Sequence, residues 1–177
     1  GGPGNTHSVQ FDRYEQGYRV SPVGAGSIDT EKVIPWNTYT REQAFDLFDL
    51  KVRGAFDMQV GILQRSDKML LFVTLEKKDM DATYQYKDQF LSENTFQWES
   101  QNRNTQKSTI GQGLKNPKLP KHLFVRKTTK IRSKTQPFRY AGLLNFQRWE
   151  SEKPIKVWWK LETPVPTRLR PEMGLGD

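Results

Sequence analysis

The spacing of apolar residues changes period once along the chain, and that change sets the expected elements. Across positions 38–50, Ala44, Phe45, Leu47, Phe48 and Leu50 recur at helical spacing. Thr40 with Gln43 three residues on makes a capping-box pattern, Glu42 suits the first turn of a helix dipole, and Gly54 follows the end. One clear helix is predicted there. From Phe56 onward the period is two. Positions 56–63 and 69–75 predict two strands, and the short turn Arg65-Ser66-Asp67-Lys68 predicts an antiparallel hairpin between them. Positions 89–91, 95–101, 122–126, 138–149 (interrupted at Gly142) and 155–161 predict further strands. Positions 102–120, with Gly111, Gly113, Pro117 and Pro120, predict a loop, and 127–137 a basic connection. Positions 5–35 read as irregular apart from a short strand at 17–20, because Pro22, Gly24, Gly26 and Pro35 punctuate them. Many short strands with one clear helix and few others predict an α+β fold. Its sheet is expected to be mainly antiparallel and strongly curved, or a partial barrel.

The chain has 177 residues, the size of one domain. Residues 1–8 read as a tag or linker remnant, 9–167 as the domain, and 168–177 as a loose tail. There is no Cys, which excludes disulfides and thiolate metal sites, and His7 and His122 are the two histidines. No metal or cofactor is expected. A triad would have to use His122, and a lone His beside a Lys is more often a surface residue. The chain has no phosphate-binding Gly-rich Lys loop and no dinucleotide fingerprint. The longest apolar run, 69–74, is strand-sized, so neither a membrane span nor a signal peptide is expected.

Charge adds what periodicity does not. The net charge is +8, and it is segregated. Between Gln101 and Arg139 there is no Asp or Glu, while Arg103, Lys107, Lys115, Lys118, Lys121, Arg126, Lys127, Lys130, Arg132, Lys134 and Arg139 all lie in that span. Such a tract predicts a polyanion partner. Lys107, Lys115, Lys118, Lys121, Arg126 and Arg139 are the expected phosphate contacts. Reading a base needs flat apolar faces together with amides or carboxylates. Trp98, Ser100, Gln101 and Arg103 could supply these, with Asp57 and Trp36 as further candidates. A competing pattern places Asp57 on one strand and Glu76 with Lys78 after the next, as in metal-dependent nucleases. A third reading is an interaction domain, the basic tract meeting an acidic surface on a partner protein.

The motifs in order are Tyr39-Thr40-Arg41-Glu42, Phe72-Val73-Thr74-Leu75, Phe96-Gln97-Trp98-Glu99-Ser100-Gln101, Ser108-Thr109-Ile110-Gly111, Leu123-Phe124-Val125-Arg126, and a final strand before Pro164-Val165-Pro166. Together they resemble a bacterial family of domains of unknown function. That family is attached after phospholipase-D-type nuclease and superfamily-2 helicase modules in restriction and defence proteins. The resemblance covers roughly residues 36–167. It implies a cytoplasmic, non-catalytic module of a methylation-dependent (type IV) restriction enzyme. Such a module would sense 5-methylcytosine or 5-hydroxymethylcytosine in double-stranded DNA, by base flipping, on a PUA-like or SET-and-RING-associated-like fold. Its partners would be modified DNA and the parent's nuclease and helicase modules. The chain departs from the family pattern at Gln97, where a His is common, and at Glu99, where an amide is common.

Overall fold

A computed structural model describes residues 7–14, 17–24, 31–76 and 88–176. The helix forms as its cap predicts. α1 (Arg41–Leu47) starts at Thr40, whose hydroxyl accepts from the Gln43 amide while the Gln43 side chain accepts from the Thr40 amide. Its onset is later than predicted because Thr38–Tyr39 is a short strand, β4. Ala44 and Phe45 of α1, with Phe48, press onto one face of a sheet.

That sheet is the body of the molecule. β5 (Ile62–Gln64) and β6 (Met69–Thr74) form the predicted antiparallel hairpin. The order continues through β9 (Lys121–Arg126), β12 (Phe138–Glu150), β13 (Lys156–Leu161), β8 (Thr95–Glu99) and β7 (Gln89–Ser92), with β4 beside the start of β12. Most pairings are antiparallel, as expected, but β6 and β9 run parallel, from Met69 opposite Lys121 to Thr74 opposite Arg126. A parallel pair needs a long crossover, and here it holds β7, β8 and a second helix. The sheet is therefore mixed and not closed, and the class is α+β.

β6 and β9 are buried on both faces, which explains their unbroken apolar runs. Leu70, Phe72 and Phe124 face the α1 side. Met69, Leu71, Val73, Leu123 and Val125 face the other side, where they join Trp98, Trp159 and Phe90. Ile62 from one end of the strand order and Phe90 from the other belong to this second cluster, so the sheet curls around it. Each such side chain buried contributes about 1.5–3 kcal/mol.

Several expectations are corrected. Positions 56–61 are not strand: Ala55–Met58 is a 3-10 turn and only Ile62–Gln64 pairs. The predicted loop contains α2 (Thr109–Lys115), capped by Ser108. Its glycines serve close approach rather than turning: a Cβ on Gly111 would lie 2.2 Å from the Thr105 carbonyl oxygen. The basic connection is a hairpin, β10 (Lys130–Ile131) with β11 (Lys134–Thr135). The loose tail instead packs: Thr167–Leu169 is a 3-10 turn, and Leu169 and Met173 are buried in the sheet's inner cluster.

Near the chain start, β1 (His7–Tyr14), β2 (Gly17–Gly24) and β3 (Glu31–Val33) make a small separate sheet, where an irregular segment with one short strand was expected. Pro22 lies within β2, opposite Val9, and Gly24 is its last residue. β12 is continuous through Gly142 but bulged there, and the glycine's φ of 83° is what the shift of register requires. Among the described residues no helix is long and apolar enough to cross a membrane.

Candidate nucleic-acid interface

β5 covers β6 only as far as Leu71, so no strand among the described residues pairs the outer edge of β6 beyond Phe72. The end of β8 comes up opposite that edge as the sheet curls. A cleft of about 360 Å³ opens at this seam, between β6, β9 and the start of β12 on one side and β8 with Asp88 on the other. Trp98, Ser100, Gln101 and Arg126, four of the sequence candidates, line it together.

Each plays a different part. Trp98 is only 4 % exposed and packs at 6.5 Å from Trp159, so it is a wall of the cleft and part of the core at once. The Ser100 hydroxyl is spent on the backbone: it accepts from the Ile155 amide at 2.8 Å and donates to the Gln101 carbonyl at 3.0 Å. It extends the β8–β13 pairing by one residue and has little capacity left for a ligand. Gln101 is half-buried at the rim. Arg126 donates to Thr74 Oγ1 and to the Gln136 carbonyl, both at 2.9 Å, and lies 4.2 Å over the Phe138 ring.

Three cleft residues were missed or undervalued in the sequence. Arg41 donates to the Val60 carbonyl at 2.7 Å and lies 4.2 Å over Phe72. Burial, and then the neighbouring Arg126 guanidinium, push its pKa down to about 10. Two cations that disfavour each other in one cleft present a place for an anion or an electron-rich edge. The signal was available, since a basic residue in the first turn opposes the helix dipole and needs another reason to be there. Asp88 accepts from the Glu99 amide at 2.9 Å. Glu99 is the third: its Oε2 is buried without a hydrogen-bond partner among the described residues. A buried unpaired carboxylate oxygen is costly, and a ligand donor would relieve it.

The remaining candidates lie elsewhere. Trp36 is buried against Phe90 at 6.2 Å and is a core residue. Asp57 accepts from the Arg53 amide at 2.9 Å and from Arg65 at 3.2 Å, and it lines a separate, wide groove. Glu76 pairs with Lys127 at 3.9 Å and lines a third cleft, so Asp57 and Glu76 do not form the paired-carboxylate layout of a metal nuclease. Lys78 falls outside the described residues, and among those described no group of three or more potential ligands could hold a metal. His122 is buried, not surface: it bonds Tyr140 at 2.8 Å and its ring lies tilted against Phe48 at 4.6 Å.

The expected phosphate contacts divide. Lys107, Lys115 and Lys118 are exposed, and so is Arg103, a base-reading candidate that does not line the cleft. Lys115 lies 5.3 Å over the Trp149 ring. Lys121 is not available: it is 3 % exposed, its ammonium donates to the Asn116 carbonyl, and burial lowers its pKa to about 8. Arg139 is bound on both edges, to Glu172 and to the Trp36 carbonyl. The tract that lacks acids in sequence thus receives carboxylates from outside it in space, Glu172 on Arg139 and Glu76 on Lys127.

Residues 33–172 match the family model described as Domain of unknown function (DUF3427). The match runs from the buried Val33 to the ion-paired Glu172, so it takes in the seam, both helices and the packed tail. No curated protein matches the chain.

Proposed function

The chain belongs to the DUF3427 family, and we propose that it is a non-catalytic DNA-binding module that reads a modified cytosine flipped into the seam cleft. In this reading it directs the nuclease and helicase modules of a bacterial restriction protein to DNA carrying 5-methylcytosine or 5-hydroxymethylcytosine. In the same reading the fold is PUA-like or SET-and-RING-associated-like and the module acts in the cytoplasm.

The observation that carries the reading is the meeting, at one cleft, of Glu99, whose Oε2 is buried without a hydrogen-bond partner among the described residues, with two arginines and aromatic walls. A cleft of about 360 Å³ lies in the range of small-ligand sites, ~300–1,000 Å³, and is large enough for one base. Cytosine presents an amino donor at N4 and acceptors along the rest of its edge. Glu99 can accept from N4, while Gln101 and Arg41 can donate to the acceptors. Trp98 walls the cleft, and the Arg41 and Arg126 guanidiniums, which lie over the Phe72 and Phe138 rings, offer flat faces for a base. Ile62 and Val73 add apolar surface suited to a 5-methyl group. The exposed Arg103, Lys107, Lys115 and Lys118 provide sequence-independent attraction to phosphates.

A gel-shift comparison of duplexes carrying cytosine, 5-methylcytosine, 5-hydroxymethylcytosine or N6-methyladenine tests this. Tighter binding of one modified-cytosine duplex is expected. Equal binding of all four, or magnesium-dependent cleavage by the isolated chain, would overturn the reading.

A further inference from the structure

We propose that the β10–β11 hairpin enters a groove of the DNA duplex, with its cations on the flanking phosphates and Ile131 against the bases as an apolar wedge. This rests on the DNA-reading function above and extends it to a second contact surface.

The hairpin is built to project. Lys130 pairs with Thr135 and Ile131 with Lys134, and the Gln136 amide closes onto the Thr129 carbonyl at 2.8 Å. Lys130, Arg132 and Lys134 are all exposed, and no carboxylate lies within the hairpin sequence. Ile131 is 54 % exposed among these cations, one of few large apolar side chains so exposed in the described residues. A lone apolar side chain ringed by cations matches the chemistry of a groove, where phosphates flank an apolar stack of bases.

The turn gives an independent indication. Arg132 and Ser133 have φ of 49° and 68°, both in the left-handed region. This is the type I′ geometry, which Asn-Gly or Gly-Gly fills without strain. An Arg held there accepts steric strain and sets a guanidinium at the tip. The hairpin is also braced at its foot, where Arg126 donates to the Gln136 carbonyl. Arg126 lines both the seam cleft and a groove of about 770 Å³ that Lys130, Ile131 and Arg132 of the hairpin also line, with Glu76 and Glu172 at its other positions. A duplex seated on the seam would therefore have the hairpin alongside.

The test is fluorescence-anisotropy titration of a plain duplex, a modified duplex and the corresponding single strand, against wild type and three variants. Lys130→Gln with Lys134→Gln should weaken both duplexes about tenfold and reduce the salt slope by about 2. Ile131→Ser should weaken duplex binding several-fold, leave the salt slope unchanged and spare the single strand. Arg132→Gly should lower duplex affinity while the thermal midpoint holds or rises. Variant affinities equal to wild type on the duplexes, or an Ile131→Ser loss equal on duplex and single strand, would overturn the hairpin's role. Equal wild-type affinity for plain and modified duplexes removes the base-reading function and leaves the hairpin contact standing. No wild-type binding to any duplex removes both.

Discussion

Arg139 on β12 holds Glu172 of the C-terminal segment in a two-point ion pair, Nε on Oε2 and Nη2 on Oε1 at 3.1 Å. Its third nitrogen, Nη1, donates to the Trp36 carbonyl at 2.7 Å. One side chain thus joins the end of the domain, the central sheet and the entry to β4. Arg139→Ala should cost about 1–3 kcal/mol of stability, measured by urea unfolding, because it strips charge-assisted bonds from a part-buried site. The salt dependence of DNA binding should not change, since this guanidinium is already neutralised.

The α2 glycines reverse the usual sign of a helix substitution. Gly→Ala inside a helix ordinarily gains about 0.5–1 kcal/mol. At Gly111 the new Cβ would meet the Thr105 carbonyl oxygen at 2.2 Å, so Gly111→Ala should destabilise by about 1–3 kcal/mol. At Gly113 it would meet the Gln64 side chain at 2.5 Å and Met69 Sδ at 3.0 Å, which can shift, so the loss should be smaller. Urea midpoints of the two variants check the order.

His122 ties stability to pH. Burial, and then Lys68, lower its pKa from 6.5 to about 3, so the folded chain keeps the imidazole neutral. Between those values the unfolded chain binds a proton that the folded chain excludes. Stability from this group is complete above about 6.5 and falls as pH falls through the window. From pH 7 to pH 5 the loss from this group is about 2 kcal/mol. His122→Gln should show a correspondingly smaller drop in urea midpoint over that range.

How far these features could be read in the sequence depended on whether their causes were local. The α1 cap, the β5–β6 hairpin and the alternation around Trp98 each follow from residues within a few positions of one another, and all three form. α2 was hidden because Gly111 and Gly113 read as breakers, whereas their reason lies in Thr105, Gln64 and Met69. Phe56 and Asp57 carry a strand-like pattern, but Asp57 is taken up by Arg53 and Arg65, which close the 3-10 turn. The basic tract was legible as charge, while the loss of Lys121 to Asn116 and of Arg139 to Glu172 was not. The seam cleft could not be seen at all, because it joins β6 to β8 through the curl of the whole sheet.

Phosphate attraction should therefore come from the exposed cations alone. Lys107→Gln and Lys118→Gln should weaken binding to every duplex alike and flatten the salt slope by about 1 each. Lys121→Met should leave the slope unchanged. Titrations between 50 and 200 mM salt, about the range over which phosphate contacts show most clearly, separate the two groups.

The most direct measurement compares dissociation constants for two duplexes identical except for one modified cytosine, on wild type and on Glu99→Ala. Glu99 is the sharper probe than Trp98, whose removal would open the core. Wild type should prefer the modified duplex by about tenfold or more, a difference of about 1.4 kcal/mol. In Glu99→Ala that ratio should fall towards one while affinity for the plain duplex is kept. Equal wild-type affinity for the two duplexes, or an undiminished preference in Glu99→Ala, would contradict the account.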